Sequence, residues 1–144
     1  MSKNLFFSYS MIIIGITMIF LGLQWLLVNE PWLLDETANI ERLEITFDEL
    51  FESEINKTLP DYLRQIYRFF GLWVAIIGIF IICFSTPTLS RDPKIQLRLL
   101  VCIGIMILVG TILGYCLIPS SPFIYLIWIM IFLYMFSLYN YIKK

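Results

Sequence analysis

Three thiols, an arginine at the edge of an apolar run and a dense set of carboxylates are the side chains of this sequence best suited to chemistry. Cys83, Cys102 and Cys116 stand far apart in apolar stretches. An odd count with no Cys-x-x-Cys spacing supports neither a disulfide framework nor a zinc site, so they read as small buried hydrophobes. The chain has no histidine, which removes His-ligated haem, His-based zinc motifs and any triad built on imidazole. Ten of the eleven acidic residues fall between Glu30 and Asp61. None sits in a D-x-[DN]-x-[DN]-G calcium loop, so a solvated helix face is expected. No metal site, no cofactor and no catalytic residue is assigned.

Two residues stand as speculative ligand contacts. Arg68 borders an uncharged stretch and could meet a lipid phosphate or an acidic ligand group; the plainer reading is an interfacial arginine whose stem snorkels. Tyr115 lies within an apolar run, where an interhelical hydrogen bond is the plainer role. The same applies to Tyr9, Thr17, Gln24, Thr111, Ser137 and Asn140.

The elements that carry these residues follow from composition. Hydrophobic residues make up 60% of the 144 and charged ones 15%, against roughly 45–50% and 25% in a soluble domain. So much apolar surface suits lipid as the solvent. A net charge of −1 argues against a nucleic-acid partner.

Spanning a hydrocarbon core of roughly 30 Å takes about 20 mainly apolar residues. Four stretches qualify, at about 8–28, 66–84, 98–118 and 123–142. The first exceeds a signal peptide's apolar region and lacks an A-x-A-like cleavage site, so it is expected to be an uncleaved span. The second must begin early, with Arg68 at the headgroups. Between the last two, Pro119-Ser-Ser-Pro122 predicts a tight turn and an antiparallel hairpin. The expected fold is all-α: a polytopic four-transmembrane-helix bundle over residues 1–144, one membrane domain, with a short extramembrane amphipathic helix.

Four spans put both termini and the middle loop on one side, with Lys3, Arg91, Lys94, Arg98, Lys143 and Lys144. The long loop 29–65 with its flank carries Arg42, Lys57, Arg64 and Arg68. Bases are retained on the cytoplasmic side, so the termini are expected in the cytoplasm and the acidic loop outside, in a cell membrane. All four tryptophans then fall in the outer half or at the outer surface. In the loop, Thr46-Phe-Asp-Glu49 matches a capping box, and Phe47, Leu50, Phe51 and Ile55 recur at helical spacing. A helix from about Phe47 to Asn56 is predicted, with a strand through Leu43, Ile45 and Phe47 as the rival. Pro60 suits the first turn of the next helix. Asn56-Lys57-Thr58 is a glycosylation sequon, relevant only in a eukaryotic secretory route.

Small residues mark helix packing: Gly71-x-x-x-Ala75 on the second span and Gly110-x-x-x-Gly114 on the third allow close backbone approach. Arg68-x-x-Gly71 with Ala75 and Gly78, then Gly110 and Gly114, then the Pro119–Pro122 turn, resemble the DoxX-like group of small four-helix membrane proteins over roughly residues 60–135. The resemblance implies a compact bundle entered from the outer side, in a group some of whose members are quinone-linked oxidoreductase subunits. The long acidic first loop departs from that pattern, and no catalytic residue is carried over.

The preferred reading is a non-enzymatic accessory or assembly component, or a lipophile-binding bundle. Its partners would be the lipid bilayer and either a membrane-protein partner or further copies of itself. The alternatives are a quinone- or lipid-linked enzyme subunit using Arg68 and Tyr115, and a small oligomeric transporter or channel. A channel needs a polar stripe along one helix, which the sequence lacks.

Overall fold

A computed structural model describes residues 3–143. Lys144 and the side chain of Lys3, two of the six bases counted with the termini, lie outside that description. The described residues form six α-helices and no strand, so the rival strand at Leu43–Phe47 is not formed. Four of the helices are long and apolar enough to cross a membrane: α1 (Lys3–Leu27), α4 (Leu59–Phe84), α5 (Pro93–Leu117) and α6 (Phe123–Ile142). Two short ones, α2 (Glu36–Leu43) and α3 (Phe47–Glu52), belong to the acidic loop.

Proline and aspartate set the starts of α4 and α5. Pro60 occupies the first turn of α4, where its missing N–H is harmless. The helix therefore begins well before the apolar run and gains length: 26 residues, or about 39 Å. The second span is thus no shorter than the others. Pro93 opens α5, and Asp92 caps it by accepting a hydrogen bond from the Lys94 N–H at 2.8 Å.

The bundle closes in the order α4, α1, α6, α5. α1 packs along most of α4 and along α6, and α6 packs on α5, whereas α5 and α4 barely meet. α1 is the axis: 44% of its apolar window is buried, against 17% for α5. Its inward stripe Phe7, Met11, Ile14, Met18 and Trp25 meets Val74, Ile81, Ile103 and Met130. The outward faces stay apolar, with Phe20, Leu27 and Phe132 among many exposed hydrophobes.

Glycine sets how closely α1 and α4 approach. A Cβ built on Gly22 would lie 2.4 Å from the Gly71 carbonyl oxygen, and one on Gly78 would lie 2.5 Å from that of Gly15. Backbone therefore touches backbone. The two pairs share one antiparallel register, α1 advancing seven residues while α4 retreats seven. The next step toward the termini falls at Ser8 and Ser85, both fully buried, though the Ser8 hydroxyl bonds that of Ser90. The next step the other way reaches Asn29 and Arg64, where the Arg64 Nε–H donates to the Asn29 carbonyl at 2.7 Å. A seven-residue repeat is the signature of a left-handed crossing near +20°.

The loop folds onto the end of the bundle. The Thr46–Glu49 capping box forms as expected, but the helix stops at Glu52 and a 3-10 turn takes Glu54–Asn56. Thr46 Oγ1 and N–H both donate to the Glu49 carboxylate, which holds Glu49 below the usual carboxylate range. Phe47 and Phe51 stack on the buried Trp32. α2 gave no sequence signal, being short and mostly polar; it ends at Glu44, in the left-handed conformation at φ 57°. From α2, Arg42 Nη1 donates to the Leu117 carbonyl at 2.6 Å, and Glu41 accepts from the Ser120 hydroxyl. One strut thus ties the loop to the α5–α6 corner.

Candidate functional site

The open seam between α4 and α5 is the candidate site. On α4, Phe70, Val74, Ile77, Ile81 and Phe84 form one stripe at helical spacing, and on α5 the facing stripe is Leu99, Cys102, Ile103, Met106 and Gly110. α4 and α5 barely meet along this seam.

Three cavities with shared lining residues follow it. A central one of about 250 Å³ reaches into the bundle between Trp25, Phe70, Met106 and Gly110. A second of about 280 Å³ shares Met106 and runs down to Phe84 and Leu99. The third, about 230 Å³, shares Phe84, Leu99 and Cys102 and ends on Ile95 and Arg98. From Phe70 to Phe84 the slot is about 21 Å long at 1.5 Å per residue. Each cavity exceeds the roughly 150 Å³ that takes a benzene in an engineered core.

Arg98 is the one charged residue in these three walls. It is exposed and makes no hydrogen bond or ion pair among the described residues. The indole N–H of Trp25 is buried without an acceptor. No lining residue of the slot pairs a nucleophile with a base.

The structure separates the two speculative ligand contacts. Arg68 is exposed on α4, one turn before Gly71. The Tyr115 hydroxyl accepts from the Trp128 indole at 3.0 Å across the α5–α6 seam. Neither lines the slot. Gly71 and Ala75 lie against Gly22, and Gly114 lies against the side chains of Ile124 and Ile127. Gly110 has nothing within 4 Å of a would-be Cβ; it borders the central cavity rather than a helix.

The cysteines are exposed, not buried, because they fall on helix faces that no other helix covers. Thr17, Thr111 and Asn140 donate to the carbonyl four residues back in their own helices, the local bond short polar side chains favour. Ser137 is buried with its hydroxyl unpartnered.

Three features escaped the sequence reading. Gly15 and Gly22 repeat the seven-residue spacing of Gly71 and Gly78, a signal visible once the four are compared. Gln96 is fully buried and donates to the Ser90 carbonyl and to Asn4 Oδ1; with the Ser8–Ser90 hydroxyl pair it makes a polar knot at the termini end. Nothing in the basic flank around Gln96 marks it out. The slot has no signal at all, since its lining reads like any lipid-facing stripe. No family model, curated protein or solved structure matches this chain.

Proposed function

We propose that the protein is a multi-pass membrane protein with a non-catalytic, lipophile-binding role, holding an acyl chain in the α4–α5 slot. The supporting observation is a wall that stays apolar from Phe70 to Leu99 in a seam no close helix contact seals. In hydrocarbon the outward faces of Phe20, Leu27 and Phe132 meet lipid tails at no cost, and a lateral slot of the same chemistry fills with one. The slot then orders that tail on both sides, which a single helix face does not. Arg91, Lys94, Arg98 and Lys143 gather at the termini end, and by the retention of bases that end faces the cytoplasm.

The test is photolabelling in bilayers with a phospholipid carrying a diazirine on its acyl chain, with adducts mapped by mass spectrometry. Enrichment on Ile77, Phe84 and Met106 over Phe20 and Phe132 is expected. Equal labelling of slot and outward faces would sink the proposal.

A further inference from the structure

We propose that the slot selects an anionic phospholipid from the leaflet at the termini end, its phosphate on Arg98 and one acyl chain along α4 and α5. The inference rests on the slot reading above and adds the chemical class of the ligand.

The argument begins with where the charge lies. The cavity that ends the slot is walled by Phe84, Ile95, Leu99, Cys102 and Arg98, so an apolar channel ends beside one arginine. That matches an amphiphile in both order and sign: a long tail, then an anion. Arginine offers two parallel N–H donors that fit two phosphate oxygens at once. Basic pockets between membrane helices hold acidic lipid headgroups in this way. Arg98 has no ion pair or hydrogen bond to give up among the described residues.

The surroundings are positive. Lys94 lies four residues before Arg98 on α5, hence on the same face, and Arg91 precedes the helix; both are exposed and without an ion pair among the described residues. The nearest acid in the sequence is Asp92, whose carboxylate already accepts from the Lys94 backbone N–H. The opposite end of the slot differs in kind. There Trp25, Phe70 and Phe123 line the cavity with no charged residue. Arg68 lies on α4 just beyond Phe70 but outside that wall, Arg42 is held by the Leu117 carbonyl and Arg64 by Asp61, and ten acidic residues crowd the adjoining loop. Only at the termini end does a charged residue belong to the slot wall itself.

Native mass spectrometry of the full chain in detergent, with phosphatidylglycerol or phosphatidylcholine of identical acyl chains, separates head from tail. The wild type is expected to retain phosphatidylglycerol preferentially. Arg98→Gln should lower that preference about five- to tenfold while leaving tail labelling in the slot intact, and Arg98→Lys should restore part of it. Arg91→Gln, off the slot wall, should change it less. If Arg98→Gln keeps the full preference, or Arg91→Gln removes as much, the phosphate assignment fails and the slot stands. If Met106→Trp, which fills the channel, leaves retention of both lipids unchanged, the slot reading itself fails. Circular dichroism and elution volume verify that each variant is folded.

Discussion

Helix α4 has two seams, and they were built by opposite means. Toward α1 it presents Gly71, Ala75 and Gly78, and backbone meets backbone. Toward α5 it presents Phe70, Val74, Ile77, Ile81 and Phe84, and a slot remains. The second face carries far more apolar area, yet it closes less. In water the larger area would win; between helices in lipid, tails solvate a phenylalanine as well as another helix does, and close packing decides instead. Small residues seal, and the face of large ones stays open.

The sharpest way to break this contrast is to put a side chain on each kind of glycine. Gly22→Leu must force α1 from α4, because even its Cβ would meet the Gly71 carbonyl. A loss beyond the usual ~1–3 kcal/mol of overpacking is expected, read as a lower unfolding temperature and aggregated material in detergent. Gly110→Ala, facing open space, should be neutral or gain about 1 kcal/mol from helix propensity. Equal damage from the two would refute the division into sealed and open seams.

A smaller effect is expected at the strut. Arg42 reaches from the loop to the last turn of α5, so it sets the width of the slot at the loop end. Arg42→Ala should cost about 1 kcal/mol and raise the separation of spin labels placed on α4 and α5 at that end. An unchanged distance would show that the loop rests on the bundle without bracing it.

The smallest effect concerns the loop's own order. Hydrogen bonds from Thr46 depress the Glu49 carboxyl in the folded state. A depressed carboxylate contributes order that is present above its free value and lost as pH falls through the folded one. Protection of the α3 amides, taken relative to their intrinsic exchange rates, should therefore fall in acid. Thr46→Ala, which keeps only the backbone donor, should weaken that dependence; a flat protection profile in the wild type would dismiss the capping role.

These contrasts mark what could be read from residues alone. The four long helices, the capping box and the proline start of α4 are local, each written in a run of neighbours. The sealed seam was half legible: Gly71 and Ala75 announced close packing, but only α1 supplies the partner register of Gly15 and Gly22. α2 and buried Gln96 depend on surfaces brought in from elsewhere in the chain. The slot is a failure to touch, and Ile77 or Met106 carries the same letters whether it meets a helix, a tail or a cavity.

The repeat that locks α1 to α4 also limits how the molecule can move. Sliding one rod along the other by less than a full repeat would drive a bulky side chain into a facing glycine notch. The nearest alternative alignment lies seven residues away, about 10 Å along the axis. Gliding is thus a motion with no intermediate stops, and α1 and α4 act as one fixed post to which α5 is joined chiefly through α6.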